Sequence, residues 1–173
     1  MKQRTYSSIK PEKGFDIGKV ENGKCTVLFF DNIQEEKQEM PNLENEEIIE
    51  ITTYSYDTYT IEVTNREGLA EKIENDFENW LKFVKEKDYN EVAAEVRAKR
   101  NELLAETDSE MCLDRMGLEV PEGTSFTAWL AFLKTIAGAI TGKMSKYRQE
   151  LRDITLQKDF PYNVIWPTMD KED

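Results

Sequence analysis

Few residues in this chain are equipped for chemistry. It contains no histidine, which removes the usual general base near neutral pH and every triad or metal site built on imidazole. Catalysis would have to rest on carboxylates, lysine or tyrosine. Cys25 and Cys112 lie in different segments with no C-x-x-C spacing, so they read as reduced thiols and not as a disulfide or zinc framework. Carboxylate pairs such as Glu35 with Asp57, or Asp108 with Asp153, can be drawn, but their spacing does not single out any glycosidase pair. No Gly-rich phosphate loop, G-x-S-x-G or H-E-x-x-H is present, so a non-enzymatic protein with no catalytic residue, cofactor or metal is expected. The titratable group with the most pointed surroundings is Asp153, one residue after Arg152 and five after Arg148. Its plainer reading is a helix-surface ion pair worth under ~1 kcal/mol.

The element that would position Asp153 is a short amphipathic helix opening the stretch Lys143 to Pro167. Met144, Tyr147, Leu151 and Ile154 recur three or four residues apart on one side, with Arg148, Glu150, Arg152 and Asp153 assigned elsewhere. Beyond it an arm carries Phe160, Pro161, Val164, Ile165, Trp166 and Pro167. The residue before a proline is pushed towards extended backbone, so the arm is expected to be extended and to dock its aromatics in a groove. The apolar helix Phe126 to Ile140 and the helix ending at Leu104 are the surfaces expected to supply that groove.

Residues 1–64 read as a β-rich part and 65–173 as a helical part, giving an α+β class with antiparallel hairpins first and the extended arm last. Asn22-Gly23 between apolar ends signals a two-residue hairpin, followed by the β-branched and aromatic run Cys25 to Phe30. Asp31 to Glu47 is acidic and reads as a solvated loop. Ile48 to Val63 resumes strand alternation, but as one strand it would reach roughly 50 Å, so a break near Tyr54 to Asp57 is expected. Tyr54, Tyr56 and Tyr59 are either cross-strand packing pairs or an exposed contact face.

Thr64-Asn65-Arg66-Glu67 fits a capping box ahead of a helix through Leu69, Ile73, Phe77, Trp80, Leu81 and Val84 to about Glu86. A second helix is predicted from near Asn90 to about Glu106, and a short one from Glu110 to Met116 closed by Gly117. The most apolar helix, Phe126 to Ile140, carries only Lys134 as a charge and should be buried or lie in a subunit interface, a route to a homo-oligomer.

A net charge of −12 argues against nucleic-acid binding, since phosphate contacts use clustered Lys and Arg. It favours solubility; the sharper alternative is an acidic inhibitor of a host nucleic-acid or defence enzyme. The amino terminus has basic residues without an apolar signal core, and Phe126 to Ile140 falls short of the ~20 apolar residues of a bilayer span. A soluble cytoplasmic protein with no membrane partner is expected.

Three blocks together carry a family likeness. The segment from Arg97 to Asp108 contains R-x-x-L-L-x-x-T-D, Tyr147 to Ile154 reads Y-R-Q-E-L-R-D-I, and Phe160-Pro161 with Val164, Trp166 and Pro167 closes as F-P-x-x-V-x-W-P. This combination resembles the carboxyl-terminal signature of the phage tail assembly chaperone family, small proteins often associated with tail-fibre assembly. Its structural residues here would be Leu104, Asp108, Tyr147, Arg148, Leu151, Arg152, Asp153, Phe160, Pro161, Trp166 and Pro167. Two departures stand out: Ser109 where members usually carry Trp, and the stretch Glu110 to Met144 between the first two blocks. The resemblance implies a non-enzymatic role in the host cytoplasm, binding a phage tail or tail-fibre protein, with residence in the virion tail as the alternative. The β-rich part is then the expected partner-binding region, with Phe29, Tyr54, Tyr56 and Tyr59 as candidates.

Overall fold

The structure is a computed structural model and describes residues 2–41, 48–108, 112 and 120–169. An antiparallel sheet opens the chain: β1 (Gln3–Ser7), β2 (Phe15–Glu21), β3 (Lys24–Pro41) and β4 (Ile48–Thr64), in the order β1-β4-β3-β2. The β2–β3 hairpin turns at Asn22 and Gly23, with φ of 50° and 76°. Both lie in the left-handed region that this pair tolerates and that matches strand twist.

Two strands run further than their composition suggests. The acidic segment expected to be a loop is strand as far as Pro41, paired residue for residue with Ile48 to Ser55. Glutamates are poor strand formers, but a β-branched partner strand offers a complete ladder, and cross-strand pairing outweighs propensity. Residues 42–47, the rest of that expected loop, lie outside the described residues. β4 is likewise unbroken through Tyr54 to Asp57. The irregularity sits instead on its partner, as a register shift between Asp31 and Gln34 with Asn32 at φ 51°. An extra residue on one strand bends the pair without breaking the other.

Arg4 on β1 grips this bulge. Its guanidinium donates to the Asn32 carbonyl at 3.4 Å, Asp57 Oδ1 at 3.1 Å, Gln34 Oε1 at 2.8 Å and Ser55 Oγ at 2.8 Å. Lys2 adds an ion pair to Asp57 Oδ2 at 3.2 Å.

Helices follow: α1 (Leu69–Asn75), α2 (Phe77–Asp108), α3 (Phe126–Thr141) and α4 (Lys143–Asp153), with a 3-10 turn at Ile154–Leu156. The capping box expected at Thr64 is absent, because Thr64 is paired with Lys24 in the sheet and the helix begins after Gly68 at φ 73°. The expected gap between Glu86 and Asn90 is also absent. No glycine or proline interrupts Phe77 to Asp108, so nothing stops the helix. The interruption falls earlier, at Asp76. The helix expected at Glu110 to Met116 lies outside the described residues, save Cys112.

The chain divides into two compact units, Met1–Asn90 and Glu91–Asp173, so the change of sequence texture at Thr64 falls inside the first. The reason is packing: α1 and the start of α2 complete the sheet's core. Phe15, Cys25, Val27, Phe29, Tyr59 and Ile61 meet Leu69, Ile73, Leu81 and Val84 in one cluster, with Phe77 and Trp80 against it. Phe29 is the hub, its ring centroid 6.4 Å from Phe15, 6.1 Å from Phe77 and 6.4 Å from Trp80.

Candidate functional site

In the second unit the three motif blocks converge. The end of α2 delivers Leu104, Thr107 and Asp108, the middle of α4 delivers Arg148, and the arm returns along α2. The arginine is buried and not on a solvent-facing side as its position in the helix pattern suggested. It donates to the Leu104 carbonyl at 2.7 Å, to Thr107 Oγ1, and to Asp108 Oδ1 at 2.6 Å. Thr107 Oγ1 in turn donates back to the Leu104 carbonyl at 2.9 Å.

A planar guanidinium fork can satisfy a carbonyl, a hydroxyl and a carboxylate together. A buried charge is tolerable here because its donors are engaged. Among the described residues of this unit, Val92, Ala93, Leu151 and Ile154 are buried apolar side chains.

Asp153 is not the partner of Arg148. It is exposed and accepts from Gln149 Nε2 at 3.1 Å and 3.2 Å, while Arg152 is exposed. Four residues apart on a helix, Gln149 and Asp153 meet by helical spacing alone. Tyr147 is half-buried.

The arm is held by α2 and by itself. The Arg97 guanidinium lies 5.5 Å from the Phe160 ring centroid and Lys99 Nζ 4.5 Å from that of Trp166. Gln157 closes a loop on Ile165, donating to its carbonyl and accepting from its amide, both at 2.8 Å. Phe160-Pro161 is a cis peptide. Pro161 is buried, whereas Phe160, Trp166 and Pro167 are half-buried. The groove expected from α3 does not form, since Phe126 is 78% exposed and Leu133 56% exposed. Basic stems on α2 cover the rings instead.

The β-part candidates are placed differently from one another. Phe29 and Tyr59 belong to the core cluster, and Tyr56 is buried with its ring edge-on to Phe30 at 5.2 Å. These three present little surface to a partner because the sheet uses them for packing; Tyr54 is half-exposed. A shallow cleft of about 460 Å³ opens beside Tyr56 and Phe30, under Ser7, Ile9 and Pro11.

Tyr59 is the most perturbed titratable group. Burial, then the nearby carboxylates Asp57, Asp31 and Asp88, push its hydroxyl up to about 12. Asp57 goes the other way: burial raises it, but Arg4 and Lys2 outweigh burial and lower it below 3.8.

Gln157 was not singled out by sequence reasoning, Thr107 was read only as part of the T-D block at a helix end, and Arg97 and Lys99 only as a polar helix face. The signal for Thr107 was present, since the T-D pair and the Y-R-Q block recur together and Arg148 is the cation between them able to reach back. No periodicity marks Gln157.

The geometry defines an α+β protein whose carboxyl-terminal unit is closed by an arginine clasp and a folded-back aromatic arm. Residues 93–169 match the family described as phage tail assembly chaperone protein, confirming the resemblance for this region. The match begins just inside the second compact unit and takes in each clasp residue. No curated protein and no solved structure matches the chain.

Proposed function

We propose that the protein is a non-enzymatic chaperone that binds a phage tail structural protein, a tail-fibre protein foremost, in the host cytoplasm. The β-rich part, residues 1–64, holds the client. The family match supports a tail assembly role, and one structural observation supports the binding mode. β1 ends opposite Tyr54 and β2 ends opposite Phe29, so the paired segments Gln34–Pro41 and Ile48–Thr53 run on past both neighbours. A strand pair of this kind offers backbone hydrogen-bonding edges on either side, which is how an extended client segment is taken up. Glu35, Glu36, Glu39 and Glu50 are exposed along it and oppose its aggregation.

Co-expression tests the role. The fibre protein is expected to be soluble and trimeric with this chain and insoluble without it; equal behaviour in both cases would sink the reading. Hydrogen exchange of the complex tests the mode: amides of residues 34–38 and 50–53 should gain protection. Protection confined to the second unit would move the client site there. Mass spectrometry of purified particles should find no copy of the chain, and a stoichiometric copy would make it a tail component.

A further inference from the structure

α3 is an apolar helix whose apolar stripe is left uncovered. Phe126, Leu130, Leu133 and Ala137 recur at intervals of four, three and four residues, which places them in one line along the helix. Phe126, Leu130 and Leu133 are 78%, 41% and 56% exposed, while Phe132 and Ile136, on another flank, are half-buried. Trp129 borders the stripe, its indole donating to the Gly123 carbonyl at 2.8 Å. Lys134 is the only charge in the helix.

We infer that this stripe pairs with the same stripe of a second copy of the chain, the two α3 helices antiparallel about a two-fold axis near residues 131 and 132. The pattern is self-complementary in that orientation alone. Phe126, the largest group, falls opposite the partner's Ala137, the smallest, and this occurs twice by symmetry. Leu130 falls opposite the partner's Leu133. A parallel pair would set Phe126 on Phe126. Two 16-residue helices bury at most the low end of the ~1,200 Å² of a stable complex, so the dimer is concentration-dependent. Each copy carries −12, so added salt strengthens it by screening.

The inference is independent of the tail role, because its test needs only the purified full chain. Sedimentation velocity over a concentration series is expected to show a monomer–dimer equilibrium that shifts towards dimer with salt. Leu130→Lys with Leu133→Lys should raise the dissociation constant at least tenfold with an unchanged circular dichroism spectrum. In a Cys112→Ser background, Phe126→Cys with Ala137→Cys should form an interchain disulfide, and Phe126→Cys alone should not. A wild-type chain that stays monomeric throughout overturns the proposal, as does a dimer that survives the double lysine variant. Efficient cross-linking of the Phe126→Cys single variant overturns the antiparallel arrangement. A monomeric chain whose lysine variant loses only the fibre client would assign the stripe to the client.

Discussion

The two units solve the problem of closure with opposite materials. In Met1–Asn90 a sheet and two helical segments meet through rings and branched aliphatics, and the polar network of Arg4, Asp57, Ser55 and Gln34 sits around the bulge and not in the apolar cluster. In Glu91–Asp173 fewer apolar side chains are buried among the described residues, and a buried guanidinium ties the end of α2 to α4. An apolar core is graded and tolerant of exchange at constant volume. A charged clasp depends on donor geometry, so its residues cannot be exchanged for others of similar size. The clasp and the arm both lie within residues 93–169, the span that matches the family model.

The contrast can be broken by mutation. The largest loss is expected for Phe29→Ala, about 4 kcal/mol in chemical denaturation, because the fully buried ring touches three other aromatic rings. A loss under ~1 kcal/mol would show that the sheet unit does not depend on this hub. Arg148→Met keeps most of the volume and removes the fork; about 2–3 kcal/mol should go, since the Leu104 carbonyl, Thr107 Oγ1 and Asp108 Oδ1 all lose the guanidinium as a donor. Arg148→Lys should recover less than half, as one ammonium does not span three acceptors. Full recovery would reduce the clasp to a simple charge effect.

Smaller effects sharpen the account of the arm. Trp166→Ala and Phe160→Ala should each cost about 1–2 kcal/mol, below the values for fully buried rings, because both are half-buried under basic side chains. Gln157→Ala should cost about 1 kcal/mol and raise proteolysis near Ile165, whose amide and carbonyl it holds. The smallest effect belongs to Asp57, where burial partly cancels the pull of Arg4 and Lys2. Its lowered folded value means that its contribution is complete above the ordinary 3.8 and is lost as pH falls below it. Stability measured from about pH 5 towards about pH 2 should therefore fall less steeply in Asp57→Asn.

Local rules carried part of the reading. The Asn22-Gly23 hairpin and the limits of α3 were legible because each depends on a few neighbouring residues: a positive-φ pair, an apolar run, a closing glycine. The acidic strand Asp31 to Pro41 was not, because its partner, β4, comes later in the chain and supplies the ladder that Glu35 and Glu36 cannot favour alone. The single helix Phe77 to Asp108 was divided in anticipation between Glu86 and Asn90, where the weak helix formers Asp88, Tyr89 and Asn90 cluster without a true breaker. In the site, Arg148 was placed off the apolar side by helical periodicity, which sorts side chains by polarity and has no means of seeing a carbonyl and a carboxylate about forty residues away.

What the amino-acid sequence determined by itself was the order of β before α, the absence of imidazole chemistry, and three motif blocks that resemble the chaperone family's signature. These are properties of composition and short-range spacing. Only the tertiary structure decided that Arg148 closes on Thr107 and Asp108, that Phe29 and Tyr59 serve the core, and that the stripe of α3 is left open. Each of those outcomes depends on which surfaces remain uncovered after distant segments pack, and that competition is settled by the whole chain.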